Sequence, residues 1–203
     1  MYQNEKPQNS YEVFSRFLGS VSSFIFNTIE AIIIALALSI ILYLFVATPH
    51  EVVGRSMYPN FQNGEYLIGN KVTYRFSEPQ RGDVVIYEYD ETVDYIKRVV
   101  GLPGEEIALR NGRIFINDKP LDETPYLNDS IYTEGGDFLQ EQGSIQIPKE
   151  HYFTMGDNRT GSYDSREFGT IPRENIKGKV FLVYFPFSNF RLISHPEIDF
   201  RSK

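Results

Sequence analysis

Residues 31–48 form an uncharged apolar run, AIIIALALSIILYLFVAT, that lies between Glu30 and Pro49. As a helix rising about 1.5 Å per residue, a run of this length extends roughly 27 Å, which is close to the hydrocarbon thickness of a bilayer. The run is apolar on every side, whereas the helix of a globular surface has a polar face. It therefore predicts a transmembrane helix and leaves residues 49–203 to form a separate domain.

Two other interpretations of this run fit less well. A cleaved signal peptide has a short basic segment before its apolar core, but here the preceding residues are net acidic and extend to Glu30. Phe45 also disrupts a small-x-small cleavage site before Thr48. A helix buried in a soluble core would need far more protein around it.

The segment 1–30 carries a second helical pattern. Apolar residues recur at helical spacing between Phe14 and Ile29, and serines together with Arg16 fill the other face. The pattern fits an amphipathic helix at the membrane surface, and it fits equally well a continuation of the membrane helix. Lys6 and Arg16 favour an inside N-terminus only weakly.

Beyond Pro49 the pattern changes to short strand-like runs separated by turn residues. Asn111-Gly112 lies between two alternating runs and marks a tight hairpin. We therefore expect residues 49–203 to form a mainly β domain of antiparallel sheets. Residues 118–142 are loop-like and acidic, and we interpret them as a short insertion on this domain. The strand-like runs are 66–68, 84–87, 95–100, 107–109, 114–116 and 180–184.

Composition excludes several classes of function. The chain has no cysteine, so disulfides, thiolate metal sites and cysteine nucleophiles are excluded. Its net charge of -7 makes it a poor electrostatic partner for nucleic acid. None of its three histidines lies in a recognisable triad setting, and neither G-x-S-x-G nor H-E-x-x-H occurs. We expect no metal, no cofactor and no nucleic-acid partner.

Ser56 and Lys97 are the candidates for a hydrolytic pair. A serine hydroxyl is a weak nucleophile unless a base lies within hydrogen-bond reach, and a lysine can be that base only when burial lowers its pKa from about 10.4. In a strand over 95–100, Lys97 and Arg98 face opposite sides, each among apolar neighbours. Only Lys97 can serve as the base, because a guanidinium does not lose its proton.

Each of these residues also has an ordinary interpretation. Taken singly, Ser56 fits a loop, Lys97 fits a solvated strand residue, and the segment 156–159 (GDNR) fits a turn. Their order behind one membrane helix is what favours a common function.

That ordered set resembles the type I signal peptidases, membrane-bound serine endopeptidases that remove signal peptides from exported proteins. The resemblance runs from the membrane helix nearly to Lys179. It implies a β-rich catalytic domain on the extracytoplasmic side of the plasma membrane, held by a single helix, with the signal peptides of preproteins and the lipid bilayer as partners. After the helix, the segments that carry it are 56–59 (SMYP), 81–85 (RGDVV), 95–104 (YIKRVVGLPG) and 156–166 (GDNRTGSYDSR).

The resemblance also implies roles for individual residues. Ser56 is the nucleophile and its N–H an oxyanion donor, Lys97 is the general base, and Ser162 hydrogen-bonds and orients the lysine ammonium. Cleavage is expected after small residues of the Ala-x-Ala type. The structural residues expected near the site are Asp157, Arg159, Asp164 and Arg166. The residues expected to line the substrate pockets are Val52, Met57, Phe61, Leu67, Tyr95 and Ile96.

Gly54 departs from part of the family, in which a serine hydroxyl at this position completes the oxyanion hole. If the position simply lacks a donor, Gly54→Ser should preserve or raise the rate. If the loop needs a conformation that only glycine adopts readily, serine should lower both stability and activity. We expect the first outcome.

Two functions of other kinds fit parts of the pattern. Self-cleaving repressor proteases share a Ser–Lys dyad and a related β fold, but they are soluble and carry a DNA-binding domain. A non-enzymatic β domain tethered by the helix would have no need of Ser56, Lys97 and Ser162 together.

Overall fold

The computed structural model describes residues 10–196 together with Ile198 and Phe200. The chain divides into two compact units, one that extends to Leu44 and one that begins at Phe45. Residues 1–9 of the predicted N-terminal segment lie outside the described residues.

A single helix, α1 (Ser10–Phe45), makes up the described part of the first unit. Its stretch Phe14–Ile41 is long and apolar enough to cross a membrane, with a mean hydropathy of 2.3 and none of it buried. The helix ends at Phe45, before the predicted limit at residue 48, because strand β1 (Ala47–Glu51) begins at Ala47. The predicted span 31–48 is therefore wrong at its end. Pro49 is compatible with β1 because this strand lies at the edge of its sheet.

The second unit is mainly antiparallel β, which confirms the predicted fold class. One sheet has the strand order β1-β2-β11-β3-β4-β9-β10, with β12 paired to β11, and a smaller sheet has the order β7-β6-β5-β8. Asn111 and Gly112 form the predicted turn between β5 and β6, with φ angles of 52° and 71°. Four short helical segments connect strands in the described part of the chain: α2 (Thr73–Phe76), α3 (Ser165–Phe168) and 3-10 turns at Arg173–Asn175 and Phe187–Asn189. The strands after β1 are β2 (Tyr66–Asn70), β3 (Val84–Glu88), β4 (Asp94–Gly101), β5 (Glu106–Arg110), β6 (Arg113–Ile116), β7 (Lys119–Pro120), β8 (Ser144–Gln146), β9 (His151–Met155), β10 (Ile171–Pro172), β11 (Ile176–Phe185) and β12 (Arg191–Leu192).

The core has apolar clusters on both faces of the large sheet. Successive residues of β3 alternate between them: Val84 and Ile86 face one cluster, whereas Val85 and Tyr87 face another. A strand buried on both faces reads as a continuous apolar run, which is what residues 84–87 show. A third cluster fills the space between the two sheets and includes Leu139 from the predicted insertion, so that segment also contributes to the core.

Candidate active site

Ser56 and Lys97 meet, although they are far apart in the sequence. Lys97 Nζ lies 2.9 Å from Ser56 Oγ and also donates to the carbonyl of Ile96 at 3.2 Å. Ser56 lies in the turn-rich segment between β1 and β2, and Lys97 lies in β4. The structure therefore brings together the two side chains that the sequence singles out for nucleophile and base.

The environment of Lys97 favours its neutral form. Its side chain is only 4% exposed, and burial lowers its pKa to about 8, because the ammonium loses its hydration. The carboxylates of Asp164 and Asp157 act in the opposite direction. The ring of Tyr95 lies 4.7 Å from Nζ and covers the amine from one side. A sizeable fraction of the amine is therefore unprotonated under mildly alkaline conditions.

Arg98 points to the opposite face of β4, as strand alternation predicts. Its guanidinium binds Asp157 through two hydrogen bonds of 2.8 and 2.7 Å, and it donates to the carbonyl of Gly82 at 2.8 Å. Asn60 donates to the same carboxylate at 2.9 Å. The cation next to the candidate base is thus paired on the far side of the sheet, which separates its charge from the amine.

Asp164 and Arg166 form the predicted ion pair beside the site. Arg166 donates to both carboxylate oxygens at 2.9 Å, and the N–H of Gly156 donates to one of them at the same distance. Burial alone would raise the pKa of Asp164, but the Arg166 and Gly156 hydrogen bonds outweigh it and hold that pKa below its usual value. The charged carboxylate fixes the loop 156–164 at both ends.

Arg159 has a partner that sequence reasoning missed. Its guanidinium binds the carboxylate of Glu123 and the hydroxyl of Thr133, the latter at 3.0 Å. Both partners belong to the predicted insertion 118–142. That segment therefore supports the loop that carries Asp157 and Ser162.

The contact expected between Ser162 and Lys97 is absent from the described residues. The Oγ of Ser162 is buried and makes no hydrogen bond of ordinary geometry among the described residues, although the hydroxyl lies near enough to Asp164 to help lower the pKa of that carboxyl. The predicted bond with Lys97 is not formed, because the amine is directed to Ser56 Oγ and the Ile96 carbonyl instead. Ser162 nevertheless lies close by: a Cβ on Gly156 would come within 2.2 Å of Ser162 Oγ and 2.4 Å of the Ser56 carbonyl.

An open cleft of about 550 Å³ leads to Ser56 and Lys97. Four of the six residues predicted to form the substrate pockets line it. The other two, Phe61 and Leu67, do not: they are buried behind the cleft wall, where they pack against Met57 and strands β3 and β11. Burial does not decide their role, because Phe61 is 2% exposed and Met57, which lines the cleft, is only 1% exposed. A place for Phe61 and Leu67 in the substrate pockets therefore stays a prediction. The four lining residues are Val52, Met57, Tyr95 and Ile96.

Gly54 has a backbone conformation that corrects the expectation for its replacement. Its φ is +96°, in the region that favours glycine, although a Cβ there would meet no atom within 4 Å. Its N–H donates to the side chain of Asn63 at 2.7 Å, which holds this conformation. Backbone geometry therefore favours the account in which serine at this position is strained. No cluster of three or more His, Asp or Glu side chains in the described part of the chain is arranged to hold a metal ion.

Comparison with known proteins gives consistent matches. The family described as "Signal peptidase, peptidase S26" matches residues 25–185. Signal peptidase IB of Staphylococcus aureus (strain COL) is 35% identical over 85% of this chain and 96% of the relative. Signal peptidase I of Bacillus caldolyticus is 40% identical over 73% of this chain and 85% of the relative. A crystal structure of a signal peptidase I from Enterococcus faecalis V583 is 27% identical and covers 51% of this chain and 97% of the solved chain, with a TM-score of 0.41.

Proposed function

Because the chain belongs to the signal peptidase family, peptidase S26, we propose that it is a membrane-anchored endopeptidase in which Ser56 is the nucleophile and Lys97 the general base. The observation that carries this proposal is the 2.9 Å contact between Ser56 Oγ and a buried lysine of lowered pKa. A buried amine beside a hydroxyl at the end of an open cleft is what a serine needs to attack a peptide carbonyl.

The reaction follows from this contact. Neutral Lys97 takes the Ser56 proton as Oγ attacks the scissile carbonyl, and the carbonyl oxygen becomes an oxyanion. As the tetrahedral intermediate collapses, the ammonium of Lys97 returns the proton to the leaving amine and an acyl-enzyme remains. A water molecule, deprotonated by the same amine, then hydrolyses the ester and restores Ser56. The N–H of Ser56 is the proposed backbone donor to the oxyanion.

The cleft supports cleavage after small residues. Met57 and Val52 line the cleft next to Ser56 with apolar surface, and both are held in place by the core behind them. An extended peptide can run along residues 94–96 as an added strand and direct alternate side chains into that space. Small side chains such as alanine, at the first and third positions before the cut, suit such a wall best. Ser162 remains the proposed orienting group for Lys97 during the reaction.

The apolar helix α1 supports a bilayer as the second partner. Its exposed apolar surface favours lipid over water, and the helix can enter lipid because the backbone polar groups of its interior are hydrogen-bonded within it. The proposed arrangement has one pass through the plasma membrane, with the β domain on the extracytoplasmic side, where exported preproteins emerge.

The proposal is tested with the detergent-solubilised full chain and one exported precursor. We expect cleavage in trans after Ala-x-Ala and no turnover for Ser56→Ala or Lys97→Ala. The double variant should be little worse than either single variant, because the two residues act as one unit. Lys97→Arg should also be inactive, because a guanidinium stays charged.

Ser130→Ala is the control, since Ser130 is exposed in a turn and binds only Asn128. Melting temperatures establish that every variant is folded. Substantial turnover by a folded Ser56→Ala or Lys97→Ala variant rejects the dyad. Self-cleavage without cleavage in trans would indicate a repressor-type protease. No cleavage at all would favour a non-enzymatic β domain that the helix tethers to the membrane.

A further inference from the structure

Asn158 holds the nucleophile loop at two neighbouring points. Its backbone N–H donates to the carbonyl of Ser56 at 3.0 Å, and its side-chain Nδ2 donates to the carbonyl of Arg55, also at 3.0 Å. The two bonds join the loop after β9 to the loop after β1. Neither bond involves the reacting hydroxyl or the amine of Lys97.

The second bond acts on the peptide group that matters for an oxyanion. The carbonyl of Arg55 and the N–H of Ser56 belong to one planar peptide unit, so a bond that fixes the direction of the oxygen also fixes the direction of the N–H. When the carbonyl of a peptide unit accepts a hydrogen bond, the N–H of the same unit becomes a stronger donor, because bonded peptide groups polarise one another. Within the described residues, the Ser56 N–H has no acceptor and is available for a ligand.

The Arg55 carbonyl is bonded on both of its lone pairs. The N–H of Tyr58 donates to it at 3.1 Å within the local turn, and Asn158 supplies the second donor from a distant loop. Gly54 offers no side-chain hydroxyl to the oxyanion. The Ser56 N–H therefore carries a larger share of the stabilisation than in a site with a second, side-chain donor.

We propose that Asn158 is a positioning residue for the oxyanion hole: its side-chain amide orients and polarises the Arg55–Ser56 peptide, whose N–H stabilises the tetrahedral intermediate. This inference rests on the proposed function of Ser56. Because the charge on the oxyanion develops only as the reaction proceeds, loss of the amide should lower kcat and leave substrate binding almost unchanged.

Asn158→Ala tests this inference, since it removes the side-chain amide and keeps the backbone bond to Ser56. Asn175→Ala is the matched control: Asn175 is also half-buried, and its Nδ2 likewise donates to a backbone carbonyl, that of Glu88, at 3.2 Å. We expect kcat of Asn158→Ala to fall roughly 5- to 30-fold, the factor that 1–2 kcal/mol represents, while KM stays within about twofold. The control should keep wild-type kcat.

Two further measurements separate positioning from general loosening of the loop. A substrate-like peptide aldehyde forms a tetrahedral adduct with Ser56 and places its oxygen where the oxyanion forms, so its affinity should fall by a factor similar to that for kcat. The midpoint of the pH–rate profile should not move, since Asn158 does not contact Lys97. Asn158→Asp fills the same space without a donor when ionised, and it should lose at least as much kcat as Asn158→Ala.

The inference is overturned if kcat of Asn158→Ala stays within about twofold of the Asn175→Ala value, or if only KM changes. It is also overturned if the pH midpoint moves, because the residue would then act on the base. Should Asn158→Ala melt far below the control, the isosteric Asn158→Asp decides by the criteria for kcat and KM alone, because its added negative charge can itself raise the pKa of Lys97. A wild-type enzyme without turnover, or an active Ser56→Ala variant, would instead reject the proposed function itself.

Discussion

At the scale of the residue, the site depends on one amine kept out of water. The ammonium of Lys97 is shielded by Tyr95 and by the wall of the cleft, and its pKa falls to about 8. The negative charges of Asp164 and Asp157 limit this fall. In the proposed mechanism, this balance suits an amine that must both accept and return a proton.

The lowered pKa of Lys97 predicts the pH dependence of turnover. Only the neutral amine accepts the Ser56 proton, so kcat/KM should rise about tenfold per pH unit below the pKa and level off above it, with a midpoint near pH 8. The measurement uses a peptide substrate without titratable side chains, so that only the enzyme ionises. A profile that is flat between mildly acidic and alkaline pH would contradict the assignment of Lys97 as base.

Gly54 predicts a stability effect that has nothing to do with a missing hydroxyl. Gly54→Ser and Gly54→Ala should both lower the free energy of unfolding by about 1–2 kcal/mol, because each places a Cβ on a residue whose φ is +96°. Activity should fall along with stability. Gly54→Ala is the control for Gly54→Ser, because alanine adds the strained Cβ without a hydroxyl. Equal melting temperatures for Gly54→Ser and wild type, with undiminished turnover, would restore the account in which the position only lacks a donor.

At the scale of the element, β4 separates two cations that are adjacent in sequence. Lys97 faces the cleft and contacts Ser56, whereas Arg98 binds the buried carboxylate of Asp157 and so anchors the loop 156–164 on the other side of the strand. This division follows from the two-residue period of a strand. A one-residue shift in the register of β4 would exchange the two cations.

The buried pair of Arg98 and Asp157 predicts a large loss of stability when only one partner is removed. Asp157→Ala should lower the free energy of unfolding by about 3–5 kcal/mol, because it leaves the buried guanidinium uncompensated. Urea denaturation measures the effect. The exposed pair of Arg110 and Asp118 is the control, and Asp118→Asn, which removes the charge but tolerates the φ of 63° at this position, should change stability by less than about 1 kcal/mol. Similar losses for the two variants would show that the buried pair contributes little.

The alternation of β4 could be predicted from sequence, whereas the partners of its cations could not. Local pattern indicates which way a side chain faces, but Glu123 reaches Arg159 only after the chain folds back between them. The same limit applies to Phe61 and Leu67. Their apolar character fits a pocket wall and a core equally well, so sequence pattern does not distinguish the two positions. The φ of Gly54 is set by the bond from its N–H to Asn63, a contact that no residue pattern reveals.

Strand β1 shows why an element boundary was misplaced. Ala47 and Thr48 continue an apolar run without a break, so hydropathy alone extends the helix to residue 48. Pairing with β2 takes these residues into the sheet instead. The antiparallel fold class was predictable because its strands are short, apolar and separated by turn residues.

At the scale of the whole molecule, the two units predict separable properties. A chain that begins at Val46 keeps every strand of the β domain, so it should fold cooperatively and cleave a short soluble peptide. It should cleave a precursor embedded in vesicles at least about tenfold more slowly than the full chain, because it loses the effective concentration that a membrane anchor supplies. The full-length protein in the same vesicles is the control. The prediction is contradicted if the fragment is unfolded, or if the fragment and the full-length protein cleave the embedded precursor at equal rates.

The position of β11 in the large sheet has a consequence for how the protein is made. This strand lies between β2 and β3, so it joins the part of the sheet next to Ser56 to the part that carries Lys97. Its residues leave the ribosome after those of β2, β3 and β4, and until they emerge the two halves share no continuous sheet. A nascent chain that ends before β11 therefore carries Ser56 and Lys97 without the sheet that holds them together, so the proposed dyad assembles only after β11 has been made.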